Sequence, residues 1–120
     1  METPEGSDLM SLFAVIREAG PDWTDGKGAF DQPAAVDHAA FMAGLADAGL
    51  ILFAGPLAGT EADRIRVLLI ANAEDEADVK RHLADDPWEI TQRLVTTSIE
   101  PWSIIVGAQR LPADGSSPST

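Results

Sequence analysis

The sequence predicts one α+β domain built on a four-stranded antiparallel sheet, and three observations lead to this prediction. Four short apolar segments alternate with two helical patterns in the order β-α-β-β-α-β. The 120 residues suffice for one hydrophobic core, and the absence of cysteine rules out disulfide staples. With right-handed crossovers, this order gives the ferredoxin-like arrangement, in which both helices cover one face of the sheet.

The organised region is predicted to be a single domain spanning residues 8–108. Residues 1–7 are polar, and residues 109–120 are rich in small and turn-forming types. Such segments bury too little apolar surface to offset the entropy of ordering them. Both ends are therefore expected to be mobile tails.

The first half of the domain contains one strand and one helix. Residues 9–16 form a mainly apolar run that ends before the turn-forming pair Gly20-Pro21, which predicts the first strand. A helix is predicted over 33–48, with Asp31 as its capping residue and Gly49 as its stop. Its buried stripe is expected to consist of residues three, four and seven positions apart, namely His38, Phe41, Met42 and Leu45.

The middle of the domain is predicted to contain a hairpin followed by a second helix. Residues 50–54 and 64–71 are buried-type strands, and the first of them closes at Gly55-Pro56. Asn72 is expected to cap a helix over 73–84, because acidic residues fill its first turn and basic residues its last.

The last part of the domain begins at a helix break. Asp86 precedes Pro87, and a residue before proline is driven out of the α region, so the second helix must end there. A short turn or helical piece over 88–93 is predicted next. The final strand, over 94–106, is expected at an edge or a bulge because Pro101 lacks an N–H group.

The charge of the chain excludes several classes of partner. Twenty acidic residues against eight basic ones give a formal charge of −12, which repels nucleic-acid phosphates and anionic lipid surfaces. No apolar run approaches the ~20 residues that span a bilayer, and the amino terminus does not resemble a secretion signal. We therefore expect a cytoplasmic protein without nucleic-acid or membrane partners.

Two strands are apolar on both of their faces, which predicts a homodimer. The helices can cover only one face of the sheet, so the other face would be a large exposed apolar patch in a monomer. A second copy of the chain is the natural cover. The residues concerned are Met10, Leu12, Phe13, Ala14, Val15 and Ile16 in the first strand and Ile65, Val67, Leu68, Leu69 and Ile70 in the third.

Three short motifs carry a resemblance to a known family. They are the His38-Ala-Ala-Phe-Met42 segment of the first helix, the turn Gly55-Pro56-Leu57 and the segment Asp86-Pro87-Trp88, in the company of Trp23, Gln32, Gly49 and Pro101-Trp102. In this order they resemble the YCII-related (YciI-like) family over about residues 9–107. The resemblance implies a ferredoxin-like fold, homodimers of the dimeric α+β-barrel kind, and a pocket with a His–Asp pair. The family's histidine falls on His38 and its aspartate on Asp86.

His38 and Asp86 are thus the candidate catalytic pair, although each has a simpler interpretation. A histidine on an apolar helix face can be a core residue with a satisfied hydrogen bond. Asp86, followed by proline and by an acid three residues on, has the pattern of a helix cap. A carboxylate that caps a turn can also orient an imidazole, so that the second ring nitrogen faces a substrate.

Four further residues are candidates for ligand binding. Trp23 and Trp88 could form the walls of a pocket for a flat molecule, or could simply pack in a core or an interface, as is expected for Trp102. Gly55 and Pro56 could bring the backbone close to a ligand, or could serve only as a tight turn. Arg64 and Arg66 are the nearest candidates for an anion clamp but fit exposed strand positions better.

No metal or cofactor is predicted, and two functions are open. Only two histidines exist, on different helices, and neither a phosphate loop nor a serine-nucleophile motif occurs. The first hypothesis is a small cofactor-independent enzyme that uses the His38–Asp86 dyad for acid–base chemistry, an elimination or isomerisation on a small organic molecule. The alternative is a non-catalytic ligand-binding or interaction domain that retains the pocket.

Overall fold

A computed structural model describes residues 10–60 and 64–111. The main elements, in chain order, are β1 (Ser11–Ala19), α1 (Ala35–Asp47), β2 (Ile51–Pro56), β3 (Arg66–Ala73), α2 (Glu76–Leu83), α3 (Pro87–Ile90) and β4 (Leu94–Trp102). Short 3₁₀ turns occupy Ala29–Asp31 and Ala108–Arg110. The predicted tail 1–7 and residues 112–120 of the predicted tail 109–120 lie outside the described residues.

The four strands form one antiparallel sheet in the order β2-β3-β1-β4. The predicted α+β class and four-stranded antiparallel sheet are confirmed, and the architecture is compatible with a ferredoxin-like fold. β1 lies in the middle, with Val15 opposite Leu69 of β3 on one side and Ile99 of β4 on the other. β2 and β4 are the two edge strands.

The core lies between one face of the sheet and the helices. Because side chains alternate across a strand, Phe13 and Val15 point to this inner face, and Arg17 follows in the same alternation. α2 contributes Val79 and Leu83 to the core, whereas α1 contributes only half-buried side chains. The inner cluster consists of Phe13, Val15, Ile51, Leu69, Ala71, Ala73, Val79 and Leu83, with Met42, Leu45 and Ile99 packed against it.

The opposite face of the sheet, here called the outer face, is apolar at its centre and is not covered by the helices. In register across it lie Ala14 and Ile70, Ile16 and Leu68, and Leu12 and Trp102, with Phe53 of β2 beside Ile70. Phe53, Leu68 and Trp102 are exposed. Trp102, which is expected to pack in a core or an interface, is not part of the core of this chain, because its strand position directs it to the outer face.

The start of α1 differs from the prediction in its cap. Asp31 belongs to the separate 3₁₀ turn, and α1 begins after Ala34, which adopts a left-handed conformation with φ 62° and makes no side-chain cap. The loop therefore turns sharply into the helix after Pro33 rather than running smoothly from Asp31. Gly49, with φ +80°, ends α1 as predicted.

Two other predictions about element ends need correction. Asn72 remains in β3, where its side-chain N–H donates to the carbonyl of Gly49 at 3.1 Å and its oxygen accepts from the backbone N–H of Met10. Asp75 caps α2 instead, by accepting from the N–H of Asp78 at 2.8 Å. β4 is an edge strand, as the proline indicated, but its irregularity falls opposite the Ile16–Arg17 step and not at Pro101.

Candidate active site

The centre of the candidate site is a direct contact between His38 and Asp86. The Nδ1 atom of His38 lies 2.9 Å from both carboxylate oxygens of Asp86. His38 is in the second turn of α1, and Asp86 is the residue that caps α3. The helix break at Pro87 thus holds the Asp86 carboxylate next to the His38 imidazole of α1. The Asp86 side chain therefore both caps α3 and pairs with His38.

Asp86 is fully buried and receives three kinds of donor. Besides the His38 ring, the backbone N–H of Trp88 donates to Oδ1 at 3.0 Å and the Nη1 of Arg17 lies 2.9 Å from Oδ2. Burial alone would raise the pKa of Asp86, but the His38 hydrogen bond, the charges of His38 and Arg17 and the Trp88 N–H together hold this pKa below its usual value. Asp86 is therefore an ionised carboxylate at neutral pH.

The ionised state of Asp86 determines the tautomer of His38. A carboxylate only accepts hydrogen bonds, so the proton at this contact belongs to Nδ1 of His38. In the neutral ring the lone pair is then on Nε2, which makes no hydrogen bond to the described residues. This is the arrangement in which an imidazole can take a proton at Nε2 while the carboxylate stabilises the resulting cation.

Arg17 is a third charged member of the site, held inside the protein by two carboxylates. Only 1% of its side chain is exposed, and its two terminal nitrogens each lie 2.9 Å from an acceptor, one on Asp86 and one on Glu89. Glu89 stands one turn beyond the cap, and 25% of its side chain is exposed. Because the guanidinium bridges both acids, it locks α3 against β1 and neutralises much of the buried negative charge.

Trp88 forms a rigid plate under the imidazole. Its ring is parallel to that of His38, with the centroids 3.9 Å apart and the planes at 7°. The indole N–H donates to the carbonyl of Pro33 at 2.8 Å, and Trp23 contacts the plate edge-on at 5.6 Å. One face of the imidazole is thus covered, and the ring can meet a ligand only through its other face or its Nε2 edge.

A cavity of about 230 Å³ lies beside the dyad. Its charged or titratable lining consists of Arg17 and His38, and the rest is apolar side chain or backbone, including Phe30, Met42, Ile65, Val67 and Leu94. The volume is below the ~300–1,000 Å³ of sites for drug-sized molecules, which suits a small ligand. A larger cleft of about 420 Å³ lies between α2 and β4, but neither member of the dyad lines it.

The structure gathers most of the predicted ligand-binding residues around this cavity. Trp88, Gly55 and Pro56 line it, the last two from the edge strand β2 rather than from a turn. Trp23 is buried behind Trp88 in a cluster with Ile65 and Leu94 and does not line the cavity, so it supports the wall instead of forming it.

Arg64 and Arg66, the nearest candidates for an anion clamp, lie outside the cavity lining, as do the titratable residues Asp37 and His82. Arg64 binds Asp25 at 2.6 Å and the carbonyls of Ala19 and Gly20, and Arg66 lies 3.9 Å from Glu18. Asp37 is exposed. His82 lies 3.4 Å from Asp78 within α2.

The sequence did not single out Arg17 or Glu89 as members of the site. The predicted first strand ended at Ile16, which left Arg17 outside it. A strand three residues longer places Arg17 on the same face as Phe13 and Val15. An arginine at an inward-facing position of an apolar strand needs an acidic partner inside the protein. This requirement was the sequence signal that could have identified Arg17 as a member of the site.

No protein-family model matches this chain, and no curated protein shows significant similarity to it. Within residues 10–60 and 64–111, no group of three or more His, Cys, Asp or Glu side chains is placed to hold a metal ion. In the same part of the chain, every helix is too short or too polar to cross a bilayer.

Proposed function

We propose that this chain is a small cofactor-independent enzyme that performs acid–base chemistry at His38. The observation that carries the proposal is the hydrogen bond from His38 Nδ1 to the buried Asp86 carboxylate, with Nε2 left without a described partner. A tautomer held in this way allows Nε2 to accept a proton from a bound molecule and to return it elsewhere. Elimination and isomerisation are the reaction types that such a single acid–base group supports.

The character of the cavity supports a small, mainly apolar substrate. The walls are apolar, one is the flat Trp88 ring, and Arg17 is already neutralised by its two carboxylates. A cyclic or aromatic molecule with an acidic C–H or O–H group fits these walls and would reach Nε2 with its polar edge. The motifs around His38, Gly55 and Asp86 support a relation to the YCII-related family.

We further propose that the chain acts as a homodimer of the dimeric α+β-barrel kind, in which two sheets face each other. The outer face supports this assembly, since a facing sheet would remove its exposed apolar side chains, Phe53, Leu68 and Trp102, from water. In this assembly the helices and the dyad remain on the far side of each sheet. The dimer would therefore stabilise the scaffold that holds the site.

The proposed function is tested by proton exchange in deuterium oxide. A panel of small cyclic ketones, enols and β-halogenated cyclic ketones is incubated with the protein, and deuterium incorporation and loss of hydrogen halide to give the enone are followed by NMR. The wild type is expected to convert at least one compound. His38→Asn should reduce that rate by about 10²–10⁴-fold, because it removes the titrating group and keeps a polar side chain.

The matched control is Asp37→Asn, an exposed neighbour of His38 in the sequence, which should leave the rate unchanged. Equal rates in the wild type and His38→Asn would refute the proposal. Binding of panel compounds with shifts of the His38 ring signals, but without conversion by the wild type, would favour the non-catalytic ligand-binding alternative.

A further inference from the structure

The residues after β4 form a second exposed apolar surface, here called the C-terminal arm (residues 103–111). Ile105 and Val106 lie at its centre, and each is 87% exposed. Exposure this high for adjacent aliphatic residues means that the described chain provides them with almost no packing. Burying an aliphatic side chain of this size is worth about 1.5–3 kcal/mol, so the arm carries a substantial unused driving force for association.

The outer face of the sheet is the complementary surface, and its charge pattern suits self-association. Glu18 and Arg66 lie near each other at one end, and Glu100 stands opposite Ala14, while the centre is apolar. The charge of −12 must therefore be concentrated elsewhere on the molecule. Depletion of charge at the centre is typical of interface cores, and here it reduces the repulsion between two acidic copies.

We infer that the C-terminal arm of one copy packs against the outer face of a second copy, and that the exchange is reciprocal. Each chain carries one arm and one outer face, so a two-fold axis satisfies both arms and both faces at once and closes the assembly as a dimer. The arm and the face together present roughly twenty residues, close to the ~20–30 residues that each partner contributes to a standard interface. The inference rests on the homodimer proposed above and identifies the C-terminal arm as a segment that contacts the partner.

The test is the oligomeric state of the full chain, measured by sedimentation velocity over a range of micromolar concentrations. The wild type is expected to sediment at twice the chain mass. The double variant Ile105→Ser/Val106→Ser should raise the dimer dissociation constant at least 100-fold, since four aliphatic side chains per dimer lose their burial. Leu68→Ser, in the outer face, should weaken the dimer in the same direction.

Val36→Ser is the matched control, because Val36 is 81% exposed on α1, on the helical side of the sheet. This variant should dimerise like the wild type. Far-ultraviolet circular dichroism of each variant checks that the fold survives. The His38 ring signals in NMR should be the same in all variants, since the dyad lies on the other side of the sheet.

Three results would overturn the inference. A monomeric wild type would overturn both the arm exchange and the proposed homodimer. A wild-type dimer that the Ile105→Ser/Val106→Ser change leaves intact would overturn the arm exchange alone. An equal loss in the Val36→Ser control would show that the effect is not specific to the arm. None of these results bears on the acid–base proposal, which the His38→Asn rate decides separately.

Discussion

The most consequential single residue in the site is Asp86, which combines three tasks in one buried carboxylate. It caps α3, orients His38 and neutralises Arg17. A carboxylate without contact with water is costly unless each oxygen is paired, and here donors from three chain segments supply the pairing. Loss of this group would thus leave Arg17 partly unpaired and His38 without orientation.

The lowered pKa of Asp86 predicts how stability responds to acid. A group whose pKa is lower in the folded than in the unfolded chain contributes stability that is complete above its unfolded pKa, near 3.9, and is lost as pH falls through its folded pKa. The gap in unfolding free energy between the wild type and Asp86→Asn should therefore be widest at neutral pH. It should narrow as the pH falls below roughly 5 and through the lowered pKa of the folded state.

Urea unfolding at a series of pH values measures this gap. Asp37→Asn, an exposed carboxylate next to the dyad in sequence, should stay close to the wild type throughout the series. A gap between the wild type and Asp86→Asn that remained constant from neutral pH to pH 2 would contradict the ionised, paired state assigned to Asp86.

At the scale of elements, α1 begins from a strained residue. Ala34 adopts φ 62° and ψ 24°, a left-handed conformation that costs a residue with a Cβ atom about 1–2 kcal/mol. The preceding carbonyl, of Pro33, accepts the indole N–H of Trp88. The strain therefore lies at the junction that positions both the His38 imidazole and the Trp88 ring stacked against it.

This strain predicts opposite effects of one substitution at two positions. Ala34→Gly should stabilise the protein by about 1 kcal/mol, since glycine adopts this conformation without cost. Ala40→Gly, at an exposed position within α1, should instead destabilise it by about 1 kcal/mol, because glycine disfavours a right-handed helix interior. Thermal and urea unfolding measure both, and destabilisation by Ala34→Gly would contradict the conformation described.

The elements also show what local sequence signals could reveal. Strand and helix order followed from apolar periodicity, and the end of α1 from Gly49, because these signals act within a few residues. The cap of α1 did not follow, because the left-handed Ala34 is imposed by the loop and the Trp88 contact rather than by its own preference. The Asn72 cap was wrong because Asn72 is held in β3 by bonds to Gly49 and Met10, which are distant in sequence.

The candidate site was predictable only in part for the same reason. His38 was indicated by the apolar periodicity of the first helix, and Asp86 by the proline that follows it. Both signals act over only a few residues. Arg17 and Glu89, 72 positions apart, meet only because β1 reaches Ala19 and passes beneath α3. Because the predicted first strand ended three residues too early, Arg17 was not recognised as an inward-facing residue of the site.

For the whole molecule, the proposed dimer predicts that thermal stability depends on protein concentration. If folding and association are linked, mass action favours the folded dimer at high concentration. The melting temperature should therefore rise by a few degrees between ~1 and ~100 μM wild type. Scanning calorimetry or circular dichroism at both concentrations measures this rise, and the arm variant Ile105→Ser/Val106→Ser should show less of it.

The strand order of the sheet also has a consequence for biosynthesis. Of the four strands, β1 is made first although it is one of the two inner strands, so Arg17 must wait for Val67 of β3 and then for Thr96 of β4. At about 5–20 residues per second, the second neighbour is made roughly 4–16 s after the first strand. Because one side of β1 has no partner until β4 has been made, the sheet cannot be complete before that strand leaves the ribosome, and the Arg17–Asp86–His38 cluster must wait for the start of α3.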